Sequence, residues 1–360
     1  MAQTAAGNAL NDARRLRQSG QGEAAIKAVG AVLAAAPEHA GAHHLMGLLF
    51  MDAGDAVSAI THFERSLSAH PDAPEVWNDL GIAQLAIGSP TDAACSFTGA
   101  LALRPRDTAA LRGLARAQLE LGQRDEALAS FQHALRILPY DKYAAHMVAA
   151  LSGSTPGVSS AYVADLFDTY ADQFDDHLTG ALQYRLPAVI AERVAPFPLA
   201  SLLDLGCGTG LVGAALHPRI AVMDGIDIAP QMVRRARDRG IYRHLRSGEL
   251  AATLESDPAL SGPYDLITAA DVFVYLGNLE PAFAAIARVA SPGSLFAFSV
   301  ETSSADDVTL RANGRFAHSP DYVARLMDEH GFAVLEQMDL PIRQERNRPV
   351  PGSLYLLKRP

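Results

Sequence analysis

Residues 202–213 read LLDLGCGTGLVG, an apolar run around Asp204 followed by glycines at 206, 208, 210 and 213. The run "LASLLDL" is short and apolar, which predicts a buried strand; the glycines predict a tight turn, and "LVGAAL" a helix. In such a unit the missing side chains let a ligand lie on bare backbone near a helix start. Two ligand classes use this device. Gly208, Gly210 and Gly213 fit G-x-G-x-x-G, the dinucleotide pattern, and a lone match of that kind is weak. The discriminating residues are Asp204, two places before Gly206, and Asp227, which ends the next apolar run "IAVMDGID".

Together, D-L-G-C-G-T-G and the acid at 227 resemble motif I of the class I S-adenosylmethionine-dependent methyltransferases. The resemblance implies a Rossmann-like α/β domain with a seven-stranded mixed sheet, closed by a C-terminal antiparallel hairpin from "GFAVLEQMDL" and "GSLYLLKR". It also implies S-adenosylmethionine as cofactor. Asp204 would orient its amino group through backbone or water, Gly206 with Cys207 would pass beneath its methionine part, and Gly208 and Gly210 would complete the cofactor-binding turn. Asp227, with Ile228 beside it, would tie down both ribose hydroxyls. Met232 would pack on the adenine, and Glu249 with Leu250, in "RSGEL", would read its amine. "YDLITAADVFVYLG" delivers Asp271 and Tyr275 to the carboxyl rim of the sheet, where open α/β sheets bind ligands. Cys207 sits inside the turn with no partner base and is read as structural.

Residues 161–190 place Val163, Phe167, Tyr170 and Phe174 at helical spacing. The stretch resembles the N-terminal lid of bacterial methyltransferases fused to tetratricopeptide repeats, in which a Y-A-x-x-F-D motif covers the cofactor; here it reads "YADQFD", with Tyr170 and Phe174 as lid residues. Aromatic faces exclude water and stabilise a sulfonium. The likeness continues through "FAHSPDYVARLMDEHGF" and "IRQERNRPVPGSLYLL", which implies Arg343 and Glu345 at the substrate mouth.

The first half keeps a period of 34 residues: Pro37, Pro71, Pro105 and Pro139; Ala25, Ala59, Ala93 and Ala127; Phe63, Phe97 and Phe131; Gly47 and Gly81. These registers are the tetratricopeptide pattern of paired helices, with Trp77 opening the third repeat and "KYAAHMVAAL" as the capping helix. Repeat one is degenerate, with Ala13 for glycine and Val29 for phenylalanine. On the family register the concave groove includes Arg14, Arg17, His44, Asn78, Arg112 and Arg116, a surface for a protein or peptide. The lysine and asparagine of chaperone-binding members are missing at His44 and Leu48 and at Asn78 and Ile82, which argues against a chaperone adaptor. The expected organisation is an all-α repeat domain over 1–151, a linker over 152–160 and the methyltransferase domain over 161–360, with a helical lid at 161–195.

A chain of 360 residues, 49% hydrophobic, is long enough for two cores. Residues 1–150 hold 12 basic and 15 acidic side chains and residues 151–360 hold 18 and 25, so neither half is the cationic surface that nucleic acid requires. The tail is the exception: Arg343, Arg346, Arg348, Lys358 and Arg359 face Glu345 alone, an excess suited to a small anion. Two cysteines, Cys95 and Cys207, exclude a disulfide framework and a cysteine-built metal site; no metal is expected. With no signal pattern and no run of 18 apolar residues, the sequence reads as cytoplasmic and without a membrane partner.

The expected chemistry is methyl transfer to an oxygen or nitrogen acceptor, in which most of the catalysis comes from holding the acceptor in line. An amine or hydroxyl acceptor must lose a proton, which His177, Asp271 or Tyr275 could take or relay. "AADVFVY" replaces the N-P-P-Y motif of enzymes acting on planar amides, which weakens glutamine-amide and nucleic-acid methylation. Two other readings remain open: a small-molecule methyltransferase whose repeats serve oligomerisation, and a scaffold that binds the cofactor without turnover.

Overall fold

The computed structural model describes residues 2–152, 160–171, 174–176, 178, 180, 183–304, 307–345 and 348–360. The chain divides into two units, Met1–Val148 and Ala149–Pro360.

The first unit is four antiparallel helix pairs: α1 (Ala2–Gln18) with α2 (Gly22–Ala35), α3 (Ala40–Asp52) with α4 (Ala56–Ala69), α5 (Pro74–Ile87) with α6 (Pro90–Leu103), and α7 (Thr108–Glu120) with α8 (Arg124–Ile137). Helix α9 (Lys142–Ser152) follows; Asp141 caps its start, and Tyr143 meets Phe131 of α8 edge-on at 5.7 Å. The repeating alanines and phenylalanines are fully buried. The glycine register has a steric cause: a Cβ at Gly47 would stand 2.5 Å from the Phe63 ring, and one at Gly81 2.8 Å from Phe97. The first helix of each repeat ends at a further 34-residue register not used above, Gly20, Gly54, Gly88 and Gly122, at φ +75° to +80°. Only glycine adopts this left-handed turn without cost.

The second unit opens with α10 (Ser160–Tyr170), the helical turn α11 (Phe174–Asp176) and α12 (Leu186–Arg193). Parallel strands β1 (Ser201–Leu205), β2 (Val222–Asp227), β3 (His244–Ser247), β4 (Tyr264–Ala269) and β5 (Ala290–Thr302) lie in the order β3-β2-β1-β4-β5. Helices α13 (Leu211–Leu216), α14 (Pro230–Asp238), α15 (Leu250–Ser256) and α16 (Glu280–Val289) connect them, and α17 (Pro320–Glu329) precedes the closing hairpin. That hairpin, β8 (Ala333–Glu345) and β9 (Arg348–Lys358), pairs antiparallel with β5 through β9. The central parallel strands β1, β2 and β4 are buried on both faces, as strands covered by helices must be, while the edge strand β3 is partly open. One core lies under α15, α16 and α17 around Phe273, Phe283, Phe296 and Phe298; the other lies under α12 and α13 around Ile190, Leu202 and Leu216.

Among the described residues the sheet has nine strands where seven were expected. The additional pair is a short hairpin, β6 (Val308–Leu310) and β7 (Phe316–His318), whose β7 adds parallel to the last two residues of β5, beyond the end of β4. Its turn carries Asn313-Gly314, with Gly314 at φ +83°, a hairpin signal present in the sequence. Among the described residues, no helix is long and apolar enough to cross a membrane.

Candidate active site

The glycine turn after β1 does two jobs. Gly206 and Gly208 both take left-handed φ, +64° and +55°. A Cβ at Gly206 would stand 2.3 Å from Val272, so that glycine makes room for the loop after β4. Gly210 and Gly213 make room for Tyr242, whose hydroxyl would lie 2.2 Å from a Cβ at 213. Only at Gly208 is the space nearly open, with the Phe174 ring at 3.8 Å. Gly208 is therefore the bare backbone that faces a cavity of about 360 Å³ at the carboxyl ends of β1, β2 and β4.

Asp227, at the end of β2, lines this cavity with its carboxylate fixed by main chain: Oδ2 accepts the Gly208 N–H at 2.8 Å and Oδ1 the Ala229 N–H at 2.8 Å. Burial pushes its pKa up to about 6 against the pull of those amides. Each oxygen keeps a lone pair, and an ionised carboxylate only accepts hydrogen bonds, so the group suits a diol. Ile228, Met232, Leu250, Cys207 and Glu249 also line the cavity. Glu249 is half spent: its Oε2 accepts the Ala252 N–H at 2.8 Å and caps α15. Burial pushes the Cys207 thiol well up, so it stays protonated and inert.

Asp204 and Gly210, expected at the cofactor, lie outside the lining. Asp204 is buried behind the turn, accepting Tyr242 Oη at 2.7 Å and Thr268 Oγ1 at 2.8 Å, and burial raises its pKa to about 6. Its carboxylate organises the turn from beneath.

The lid segment forms one wall. Phe174 and Phe167 line the cavity with ring centroids 5.9 Å apart, and Phe167 meets Tyr275 edge-on at 5.3 Å. Two aspartates clip the segment onto the loops that carry the site. Asp168 Oδ1 accepts the Gln231 N–H of α14 at 2.8 Å. Asp175 accepts Thr209 Oγ1 and pairs with Arg239 at 2.5 Å, while Arg239 Nε donates to the Thr209 carbonyl at 2.6 Å. The Tyr170 side chain and His177, both expected at the site, lie outside the described residues.

The opposite wall is an ion network. Arg343, 1% exposed, pairs with Asp271 Oδ1 at 2.5 Å, with Glu301 and with Glu345 at 2.9 Å. Arg315, in the β6–β7 turn, pairs with Glu345 and donates to Tyr275 Oη at 3.2 Å, its guanidinium 5.6 Å from the Tyr275 ring centre. Arg311 reaches Glu301 at 3.2 Å. Burial raises the Asp271 pKa to about 6 despite Arg343, and raises Glu301. Asp271 holds φ +58°, a conformation uncommon outside glycine, with its N–H donating to Ser299 Oγ at 2.8 Å.

Two expectations change here. Arg343 lines the cavity, yet its guanidinium is consumed by three carboxylates, so it is not a free anion site; Arg359 donates to the His330 and Gly331 carbonyls, and Arg346 lies outside the described residues. The phenol of Tyr275 is pushed far above its ordinary pKa by burial and by Asp271, so it stays protonated and of the two expected roles only the relay suits it. Glu345 does line the cavity. Phe167, Tyr184, Val272, Leu276 and Arg315 line it as well and were not singled out as site residues. Arg315 was findable from the Asn-Gly turn signal; Val272 and Tyr184 had none. Among the described residues, no group of three or more His, Cys, Asp or Glu is arranged for a metal.

Residues 202–293 match a family model for a methyltransferase domain, and residues 10–74, 44–97 and 78–142 match one for the tetratricopeptide repeat. The chain is 33% identical over 144 residues to the biotin biosynthesis bifunctional protein BioCD of Bordetella avium, covering 39% of this chain and 30% of that protein. It is 35% identical over 117 residues to the malonyl-[acyl-carrier protein] O-methyltransferase of Geobacter sulfurreducens, covering 32% and 42%. To the protein of the same name from Methylovorus sp. it is 30% identical over 203 residues, covering 54% and 66%. The chain thus spans less than half the length of the first two of these relatives. It joins tetratricopeptide repeats to a methyltransferase domain.

Proposed function

We propose that the Ala149–Pro360 unit transfers the methyl group of S-adenosylmethionine to an oxygen or nitrogen acceptor, and that the repeat unit docks the protein or peptide that carries it. The observation that carries the reading is Asp227, set by two backbone amides at the edge of a cavity floored by the bare main chain of Gly208. The residues fit the cofactor. An acceptor-only carboxylate suits the ribose diol, Met232 and Leu250 offer an apolar seat for a purine, and the lining carboxylates Asp227, Glu249, Asp271 and Glu345 outnumber Arg315 and Arg343, which favours a cationic ligand. The cavity volume is that of a small-molecule site.

When bound, the cofactor supplies an electrophilic methyl group on a sulfonium with a neutral thioether as leaving group. Phe174 and Phe167 exclude water from one side and present rings to the positive charge. Asp271 is the group that orients the acceptor or takes its proton: Oδ1 is committed to Arg343, and Oδ2 has no partner among the described residues. Tyr275, protonated throughout, positions through Arg315 and the Phe167 edge. The names of two relatives support an oxygen acceptor.

Calorimetry with S-adenosylhomocysteine tests the cofactor half. Asp227→Ala is expected to abolish a binding isotherm that the parent gives; equal binding by both removes the assignment. Tritium-methyl transfer onto cell lysate, resolved by mass, tests the acceptor half: label in macromolecules supports docking by the repeats, and label confined to metabolites overturns it.

A further inference from the structure

Among the described residues, two that are not glycine hold left-handed φ: Gln183 at +48° and Asp271 at +58°. Such a backbone is costly for a residue with a side chain and persists where the surrounding structure enforces it, most often at a functional site. Asp271 lines the cavity, and so does Tyr184, the neighbour of Gln183. Both stretches are held from the end of β8, where consecutive residues reach separate parts of the wall. Arg343 pairs with Asp271 at 2.5 Å, and Gln344 Nε2 donates to Gln183 Oε1 at 3.0 Å. The Tyr184 N–H donates to the Leu178 carbonyl at 3.0 Å, and its ring packs on the core under α12 and α13.

The tyrosine ring is fixed, yet the fold makes no use of its hydroxyl. Among the described residues, Tyr184 Oη has no hydrogen-bond partner, and neither has Asp271 Oδ2. Neither atom is one of the sealed polar atoms that lack partners, so each keeps surface that a ligand can reach. The Asp271 side chain is 16% exposed and Tyr184 is half-buried. Burial and the charge of Asp271 push the Tyr184 phenol well above its ordinary pKa, so it stays protonated. The wall thus offers one uncommitted hydrogen-bond donor and one uncommitted carboxylate oxygen.

We propose that Tyr184 binds the methyl acceptor and, together with Asp271, selects a hydroxyl for that role; this rests on the methyl-transfer reading above. The argument is a count of protons and lone pairs. A hydroxyl has one O–H, which donates to Asp271 Oδ2, and two lone pairs, one of which accepts from Tyr184 Oη while the other stays free for the methyl carbon. That free pair forms the C–O bond as the C–S bond breaks with its electrons left on sulfur, and the hydroxyl proton passes to Asp271 Oδ2. An uncharged amine has a single lone pair, which a Tyr184 hydrogen bond would tie up. A carboxylate brings no proton for Asp271 and is repelled by it and by Glu345.

The test compares the full chain with Tyr184→Phe, which keeps the ring and removes the hydroxyl alone. Thermal unfolding and calorimetry with S-adenosylhomocysteine should give the same values for both, because the hydroxyl supports neither the fold nor the cofactor. The initial rate of tritium-methyl transfer onto a dialysed lysate, at saturating labelled cofactor, should fall about tenfold or more with the loss of one hydrogen bond to the reacting oxygen. Asp271→Asn, which removes the proton acceptor, should slow it by roughly a hundredfold. The label should survive mild alkali, which releases methyl esters as methanol, and should leave as methyl iodide in hot hydriodic acid, which cleaves methyl ethers. Label released by alkali, or retained through hydriodic acid on a methylated amine, overturns the hydroxyl assignment. Equal rates for parent and Tyr184→Phe, or a variant that loses folding or S-adenosylhomocysteine binding, overturns the role of Tyr184. A parent that binds S-adenosylhomocysteine yet transfers no label overturns this proposal and leaves the cofactor assignment standing, whereas a parent with no isotherm removes the reading beneath it.

Discussion

Tyr242 Oη donates to Asp204 Oδ2 at 2.7 Å, and its ring occupies the space that side chains at 210 and 213 would need. One tyrosine therefore accounts for two glycines of the turn and for the fate of the acid ahead of it. Tyr242→Phe keeps the ring and removes one bond from a buried carboxylate, so stability should fall by about 1–3 kcal/mol. Asp204 titrates at about 6 in the fold, above its ordinary value, so its contribution is present in acid and is lost as pH rises through 6. Losing the tyrosine bond raises that pKa further. Denaturant unfolding should show a larger deficit at pH 8 than at pH 5; an equal deficit would mean that the hydroxyl does not support the ionised acid.

Asp227 also titrates at about 6, raised by burial. A ribose diol needs its ionised form, so affinity for S-adenosylhomocysteine should be flat above pH 7 and decline below 6, by at most about tenfold per pH unit. Calorimetry between pH 5 and 8 measures the slope. In Asp227→Asn the dependence should flatten at a weaker affinity, and persistence of the slope there would assign the titration to another group.

The clip between the lid and the glycine turn runs through Asp175, whose side chain is 42% exposed, and Arg239, at 30%. An ion pair so open to solvent contributes at most about 1 kcal/mol and is screened by salt. Asp175→Asn should therefore speed S-adenosylhomocysteine release by only a few fold, with association little changed. Stopped-flow release at low and high salt should show the parent approaching the variant as salt rises. A salt effect of the same size in the variant would sink this account of the clip.

Gly113 and Gly122 separate two uses of glycine in the repeats. A Cβ at 113 would stand 2.3 Å from the Phe97 ring, whereas nothing lies within 4 Å at 122, where φ is +76°. Gly113→Ala should cost about 1–3 kcal/mol through overpacking, and Gly122→Ala about 1 kcal/mol through backbone strain alone. Thermal unfolding ranks the two; the reverse order would mean that the repeat core yields more easily than the turn.

The repeat half was open to reading because contacts recur at a fixed interval: Phe63 packs on Gly47 as Phe97 does on Gly81, and Phe131, in the same register, is equally buried. The strand ends carrying Asp204 and Asp227 were open for the same reason, since local patterning places them. What patterning does not reach is the pairing of distant segments. Asp271, Glu301, Arg315 and Arg343 come from four separate stretches, and sheet order alone makes them neighbours. The β6–β7 hairpin escaped because each of its strands is three residues long, too short for alternation to register. The partner of the Asp204 carboxylate is a tyrosine 38 residues away that local sequence does not point to.

The hairpin hangs from the last two residues of β5, past the end of β4, while Gly208 and Asp227, proposed above to hold the cofactor, follow β1 and end β2. Its turn can therefore change in length without touching Gly208 or Asp227, as long as Arg311 and Arg315 keep their pairs with Glu301 and Glu345. Natural variation would be free to retune which molecule is modified by trading a dozen residues at the margin of the sheet, leaving the donor's berth as it was.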